Sequence, residues 1–530
     1  MIKKEGFIMA YFLNNINEVN QFSKTTKEKY FVDKSELIEK MNELVGTASQ
    51  YVCITRPRRF GKTLNAMMLA SYYSKNADFK NLFDKLKISK NTTYLDHLNK
   101  HNVIYITLNE VPKASCTYYE FIGRYINLLS EDLKACYPDL KLNESLSMSD
   151  VFTQIHQKYN QNFIFIIDEW DYIFNNDLFT EEERKSFLEF LRDLLKDKPY
   201  VELAYMTGVL PIAKYSSGSA LNMFLEFNIM NDYMYDKYFG FTNEEVERLC
   251  HKQNKISMDS LKEWYNGYYT CNNLQIYNPR SVTTALRQGV CQSYWTNTGP
   301  MDEILYYINN DIDSVKDDVI KMVSDIPLEI KLKGYGAEQK ELNTRNQILS
   351  AMTIYGFLSY CDEELRIPNK ELRIKFDEAL EDKSMGAVSE IVLKSNEMLK
   401  ATLRKDTETM EKLIQEAHDI NIPVIKYNDE NSLACIITLV YLSARSKYKI
   451  VREMPAGVGF ADFIFYPNDK SKPAFIIELK KNSTSDEALK QIHEKRYILA
   501  LKDYTGKKLA VGISYDERLK KHSVKIEEIK

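Results

Sequence analysis

Two apolar stretches near the C-terminus, Val458-Gly-Phe-Ala-Asp462-Phe-Ile-Phe-Tyr466 and Ala474-Phe-Ile-Ile-Glu478-Leu-Lys480, are separated by a short polar turn. An acid enters the first strand pattern, and a Glu-x-Lys closes the second. Side chains two apart on a strand share a face, so Glu478 and Lys480 align. Two carboxylates and an ammonium then converge at a sheet edge. That is the equipment for holding a divalent metal and activating a water against a phosphodiester. For Glu-x-Lys taken alone, the plainer reading is a surface hairpin that carries the pair by chance.

The ordered set around the pair favours the chemical reading. It resembles the PD-(D/E)xK nuclease superfamily. The resemblance implies that Asp462 and Glu478 are Mg²⁺ ligands and that Lys480 is the catalytic lysine acting on the attacking water. It further implies a contributing acid from a preceding helix. Glu430 matches that position, at the head of Asn431-Ser-Leu-Ala-Cys-Ile-Ile-Thr-Leu-Val-Tyr-Leu442. A Gln-bearing helix follows the core in the superfamily, and Gln491 fits it, with Lys495 one helical turn on. From Pro467 to the end, fifteen Lys/Arg stand against ten Asp/Glu in a chain of net charge −4. A local cationic bias of that kind suits a phosphate backbone.

A second chemical centre lies near the N-terminus. Tyr51-Val-Cys-Ile-Thr-Arg56-Pro-Arg58-Arg59-Phe-Gly61-Lys62-Thr63 starts as an apolar strand and runs into a helix pattern. Gly61-Lys62-Thr63 matches the end of a P-loop, where backbone N–H groups cradle phosphates, Lys reaches the β- and γ-phosphates and Thr holds Mg²⁺. The first glycine of G-x-x-x-x-G-K-[ST] is replaced by Arg56. Asn162-Phe-Ile-Phe-Ile-Ile-Asp168-Glu169 then reads as a buried strand ending in two acids. In that form Asp168 serves Mg²⁺ and Glu169 polarises the attacking water. Val201-Glu-Leu-Ala-Tyr-Met-Thr207-Gly208 is a further strand, ending where related ATPases place a γ-phosphate sensor. ATP and Mg²⁺ are the expected cofactors. Arg58 and Arg59 beside the loop either reach a phosphate or form a solvated flank, and Arg59 is carried as a nucleotide-binding candidate.

The wording Arg56-Pro-Arg-Arg-Phe-Gly-Lys-Thr63, with Tyr30-Phe-Val-Asp-Lys-Ser35 before it, resembles bacterial AAA-ATPase-like proteins whose C-terminus carries a PD-(D/E)xK nuclease domain. Trp264-Tyr-Asn-Gly-Tyr268 and Tyr277-Asn-Pro-Arg280-Ser extend that resemblance through the middle. In this group an Arg at the first-glycine position is usual.

At 530 residues, the chain has room for two to four domains, each with its own core. With 44% hydrophobic and 28% charged residues it has a globular composition, and no apolar run approaches bilayer-spanning length. No secretory h-region follows Met1, so the expected location is cytoplasmic, without a membrane partner. Eight Cys without a Cys-x-x-Cys, and a lone Cys250-His251 pair, argue against a zinc ribbon.

Alternating strand and helix patterns from Tyr30 to Pro211 predict a parallel sheet covered by helices. The fold class expected is α/β. Residues 1–240 form a P-loop ATPase sheet with helices, and 241–383 a helical, winged-helix-like lid. Residues 384–530 form a restriction-endonuclease-like α/β domain with a helical lead-in that breaks at Ile422-Pro-Val. Trp264, Tyr265, Tyr268 and Tyr269 either stack on bases or pack a core. Arg280 either contacts nucleotide or pairs structurally. The function expected is nucleotide-regulated, Mg²⁺-dependent cleavage of nucleic acid, DNA ahead of RNA, in conflict with mobile elements or phage. Nucleotide and a second copy of the chain are the other expected partners. The alternative is a nucleotide-switch scaffold that binds nucleic acid or a partner without cutting.

Overall fold

The computed structural model describes residues 10–75, 79–109, 116–140, 146–212, 220–295, 305, 308, 314–332, 342–419, 430–456 and 458–529. The chain divides into two compact units, one of Met1–Trp295 with Leu332–Cys361, the other of Thr296–Lys331 with Asp362–Lys530.

The first unit is built on five parallel strands: β1 (Tyr51–Thr55), β2 (Asn102–Thr107), β3 (Phe163–Asp168), β4 (Val201–Gly208) and β5 (Leu225–Phe227), in the order β2-β3-β4-β1-β5. A parallel sheet carries helices on both faces, which is why β1 and β3 are apolar at nearly every position and buried throughout. Ile164 and Ile166 of β3 pack in the same core as Ala66, Leu69 and Tyr73 of the helix Lys62–Tyr73. The alternate residues Phe163 and Phe165 meet Phe152 of the helix Met148–Tyr159 on the other face. Strand order decides the neighbours of the predicted site. β4 lies between β1 and β3, so Thr207 is in register with both Ile54 and Asp168.

Residues 241–383, read from the sequence as one middle region, are shared between the two units. A small antiparallel sheet, with β6 (Phe241–Thr242), β7 (Tyr268–Tyr269) and β8 (Gln275–Tyr277) in the order β6-β8-β7, stays with the first unit. So do the helices Asn243–Cys250, Met258–Tyr265, Pro279–Gln288 and Arg345–Ile354. The Tyr268 hydroxyl donates to the Gly356 carbonyl (3.0 Å), and Trp295 stacks on Phe357. Gly356 has φ +82 and lies so close to Pro57 that a Cβ would meet the Pro57 Cβ at 2.7 Å. Tyr265 and Tyr268 are fully buried, so half of the aromatic cluster packs the core rather than presenting a face to bases.

The segment 314–331 goes with the second unit for a physical reason. Arg445 donates to the Val323 carbonyl (2.6 Å) and to Asp377 Oδ1 (2.5 Å), and Arg452 donates to the Ser324 carbonyl (2.9 Å). These guanidinium groups hold the C-terminal end of the helix Val315–Val323. In the same unit β9 (Leu328–Glu329) pairs antiparallel with β11 (Glu364–Arg366), while β10 (Ser359–Cys361) ends the first unit's share of the chain.

The second unit's main sheet contains β12 (Tyr448–Pro455), β13 (Phe460–Pro467), β14 (Ala474–Lys481), β15 (Lys508–Asp516) and β16 (Lys521–Ile529), in sequence order. Only β14 and β15 run parallel; the other pairs are antiparallel. The parallel step needs a crossover, and the helix Ser485–Glu494 supplies it. On the opposite face Tyr441, just after the helix Glu430–Val440, meets Phe465 and Phe475. The break expected at Ile422-Pro-Val falls outside the described residues. No helix among the described residues is long and apolar enough to cross a membrane, and no cysteine is in a disulfide.

Candidate functional site

Chemistry-bearing side chains gather at one end of each large sheet. In the first unit β1 ends at Thr55, and the chain turns through a loop in which Arg59 and Gly61 have φ +71 and +91. Gly61 is the N-cap of the helix Lys62–Tyr73 and offers its first turn no side-chain acceptor. The N–H groups there are left for a ligand or water. Lys62 is buried and donates to the carbonyls of Arg56 and Pro57, at 2.9 Å each. Burial pushes its ammonium down to about 8, against the attraction of Asp171, Asp168 and Glu169.

Asp168 is fully buried, and its Oδ2 has no hydrogen-bond partner. Burial raises it to about 6, while the Thr63 hydroxyl nearby pulls the other way. Glu169 stands beside it in the left-handed region (φ +53), half-buried, and also raised by burial. Thr207 is buried between the two strands, and its hydroxyl donates to the Ile54 carbonyl (2.7 Å), leaving lone pairs rather than a proton for any further contact. Arg59 donates to the carbonyls of Tyr294 (2.7 Å) and Trp295 (2.8 Å). Arg58 is exposed, and its charge acts on both Glu169 and Lys62.

Three features of this site escape a reading along the sequence. Arg56, at the first-glycine position, is 2% exposed and ion-paired with Asp232, which is itself held by the N–H groups of Met234 and Tyr235. Its guanidinium also donates to the Phe227 carbonyl (3.1 Å) and lies over the Phe239 ring. Arg56 is therefore a buried brace for the loop. Its partner lies far along the chain, which hides it from motif reading. Asp171 is the second feature: its Oδ2 accepts from the N–H groups of Val209 (3.1 Å) and Leu210 (2.9 Å), tying the acidic turn to the end of β4. Gly208 is the third, since a Cβ there would meet Trp170 Cδ1 at 2.6 Å and press on the Asp171 carboxylate.

In the second unit β13 and β14 pair through Phe463↔Ile477, and Asp462 Oδ2 accepts the Leu479 N–H (2.7 Å). Glu478 is 2% exposed. Its Oε1 accepts from Lys480 Nζ (2.9 Å) and from Gln491 Nε2, and its Oε2 is buried without a partner. Burial first, and then the neighbouring Asp462, push Glu478 up to about 7 against the pull of Lys480. The structure thus brings together Asp462, Glu478, Lys480 and Gln491. Glu430 opens the helix Glu430–Val440, and its side chain lies outside the described residues.

Two residues that the motif does not name complete this site. Gln491 Nε2 also donates to the Tyr497 hydroxyl (3.1 Å). Gly512 on β15 pairs with Glu478, and a Cβ there would meet the Ala488 Cβ at 3.1 Å. The bare glycine lets the crossover helix settle close enough for Gln491 to reach Glu478. A glycine inside the apolar run Leu509-Ala-Val-Gly-Ile-Ser514 is the available sequence signal for such an approach.

Residues 18–217 match the family model described as predicted AAA-ATPase, and residues 428–524 match that of the PD-(D/E)XK nuclease superfamily. The chain is an AAA-ATPase-like protein with a PD-(D/E)XK nuclease-superfamily domain. No curated protein matches it. Among solved structures, the Walker-type ATPase PABY2304 of Pyrococcus abyssi aligns at 12% identity and a TM-score of 0.32, covering 65% of this chain and 94% of that one. The ORC2 protein of Aeropyrum pernix, in ADPNP and ADP complexes, aligns at 10% and 0.31, covering 72% and 95%. Likenesses of that degree decide nothing about fold or function.

Among the described residues no group of three His, Cys, Asp or Glu side chains is arranged to hold a metal ion. Mg²⁺ does not require one, since it keeps several waters and takes one or two carboxylates. An orphaned, desolvated oxygen on Asp168 and another on Glu478 are the donors such an ion would take. The residues present fit it.

The buried Arg56–Asp232 pair yields a direct prediction. Asp232→Ala strands a guanidinium in the interior and should cost about 3–5 kcal/mol of stability. Replacing both partners, as Arg56→Met with Asp232→Leu, should cost much less. Urea denaturation of the full chain measures both. A loss below about 1 kcal/mol for Asp232→Ala would show that the pair is not a buried brace.

Proposed function

We propose that the chain binds and hydrolyses ATP in its first unit and cleaves nucleic acid in its second, with nucleotide state regulating cleavage. The observation that carries the nuclease reading is the orphaned Glu478 Oε2, held beside Asp462 by contacts that engage only Glu478 Oε1. A structural carboxylate would have both oxygens satisfied. Mg²⁺ held by Asp462 and Glu478 would supply the positive charge that offsets the phosphodiester and the attacking water.

The chain's own residues do the rest. Gln491 and Lys480 fix the Glu478 rotamer through Oε1, leaving Oε2 aimed at the ligand. Lys480, a quarter exposed, places an ammonium where a water can be oriented for in-line attack. Glu430, at the head of its helix, is a further acid assigned to this site. DNA is the proposed substrate ahead of RNA, and defence against mobile elements or phage is a setting in which regulated cleavage would be useful.

In the first unit the uncapped helix start at Gly61 and the Lys62 ammonium receive the nucleotide phosphates. Thr63 and Asp168 form the cation's side of the site, and Glu169 orients the attacking water. Thr207 spaces Asp168 from the loop strand. Arg59, tied to two backbone carbonyls, would have to leave them to reach a phosphate. The chain passes between the two units three times, at 295/296, 331/332 and 361/362. The reading divides the chain by function into an ATPase region 1–240, a middle region 241–383 that relays nucleotide state, and a nuclease region 384–530.

Cleavage by the full chain on single-stranded and duplex DNA and on RNA, with Mg²⁺ or Mn²⁺, tests the nuclease. Asp462→Ala and Glu478→Ala should each abolish cutting. A wild-type protein that cuts nothing would hand the site to the scaffold reading.

For the ATPase, Lys62→Ala should lose nucleotide affinity, whereas Glu169→Gln should bind ATP and stall. Between these two variants the cleavage rate should differ on the order of tenfold, or about 1.4 kcal/mol of coupling. Equal rates and equal DNA affinities would make the two activities independent.

A further inference from the structure

The Tyr497 hydroxyl lies one hydrogen bond away from the contact that holds Glu478. Gln491 Nε2 carries two N–H bonds; one goes to Glu478 Oε1 and the other to the Tyr497 oxygen (3.1 Å). An ionised carboxylate only accepts, so the amide turns its nitrogen rather than its oxygen towards Glu478. The Tyr497 oxygen meets the second N–H in that orientation, and the nitrogen is then fully satisfied.

Tyr497 reaches Gln491 because the crossover helix stops between them. Six residues along a continuous helix would leave the two side chains about 240° apart, on different faces. The helix Ser485–Glu494 ends instead, with the Lys495 N–H donating to the Gln491 carbonyl (2.9 Å) and Arg496 in the left-handed region at φ +54. The chain turns back there, and Tyr497 opens the short 3₁₀ turn Tyr497–Leu501. The Tyr497 residue is 2% exposed and shares a core with Leu489, Ile492 and Ala461. Gly459 closes over its hydroxyl, where a Cβ would meet the oxygen at 3.0 Å. Packing therefore sets where the phenol oxygen stands. A phenylalanine would fill the same space, so what the hydroxyl adds is the acceptor for Gln491.

We propose that the Tyr497 hydroxyl positions the Gln491 amide, and through it keeps Glu478 Oε2 turned towards the cation of the nuclease site. The inference rests on the nuclease reading and adds to it a positioning residue that touches neither ion nor substrate. Without the hydroxyl, one N–H of the half-buried Gln491 amide loses its acceptor, and the amide turns to find water. Among the described contacts Glu478 Oε1 then keeps only Lys480, whose ammonium is a point charge on a flexible four-carbon stem. The carboxylate is free to rotate, and its orphaned oxygen no longer has a fixed direction.

The test is Mn²⁺ binding to the full chain without nucleotide, read from the paramagnetic resonance signal of the free ion. The ion that belongs to this site is the one lost in Glu478→Gln. Tyr497→Phe keeps the ring, and should weaken that ion about tenfold with the melting midpoint in EDTA unchanged. Gln491→Leu should weaken it by a similar factor. The double variant should bind no more weakly than Gln491→Leu alone, because both residues act through one amide. In cleavage, the Mn²⁺ concentration giving half the maximal rate should rise about tenfold in Tyr497→Phe, with a smaller change in the rate at saturating Mn²⁺. Wild-type Mn²⁺ affinity in Tyr497→Phe, losses that multiply in the double variant, or a melting midpoint well below wild type would overturn the positioning role. A wild type that holds no Mn²⁺ sensitive to Glu478→Gln would instead strike the metal-dependent nuclease reading itself.

Discussion

A carboxylate oxygen buried without a hydrogen-bond partner is among the costliest features a fold can carry, and each unit of this chain carries one beside a lysine. Asp168 Oδ2 and Glu478 Oε2 are both inaccessible and unpartnered, and burial raises both acids well above the ordinary carboxylate range. The nearby ammonium groups only partly offset the loss of water. Each site is electrostatically incomplete, and on the proposed function a divalent cation is the ligand that would complete it. The surrounding structure serves to keep these oxygens in that condition. Gly512 admits the Gln491 helix, Gln491 and Lys480 occupy Glu478 Oε1, and Asp171 pins the turn that follows Asp168.

The phosphate loop meets the same demand without its first glycine. A glycine at position 56 would supply backbone freedom; Arg56 instead supplies a buried anchor through Asp232 and the Phe227 carbonyl. The loop then takes its left-handed turns at Arg59 and Gly61, and the helix begins with its first N–H groups uncapped. Rigidity from an internal ion pair replaces compactness from a bare backbone. The cost is a guanidinium that cannot be left alone in the interior.

How much of this was legible in the sequence depended on how far apart the partners lie. Glu478 and Lys480 could be aligned because strand alternation is a local rule, and Asp462 and Gln491 were added by the superfamily resemblance. The parallel sheet followed from the apolar runs that form β1, β3 and β4. The partnership of Arg56 with Asp232 was invisible, since no local pattern links residues so distant. Asp171 was hidden behind the two acids of the motif, although its bonds to Val209 and Leu210 matter as much to the turn. The sharing of residues 241–383 between two units was also beyond reach, because it depends on Arg445 and Arg452 seizing the end of a helix more than a hundred residues earlier.

Replacing Glu478 by Gln while following both Mn²⁺ binding and melting of the full chain, without nucleotide, tests most directly whether the buried oxygen exists for a cation. Glutamine keeps the shape and the contact to Lys480 while removing the desolvated charge. Glu478→Gln should melt no lower than wild type in the absence of metal, and should lose both the Mn²⁺ bound at this site and the rise in melting midpoint that accompanies it. A variant that melts well below wild type and still binds Mn²⁺ as wild type does would show that Glu478 holds the fold together rather than an ion.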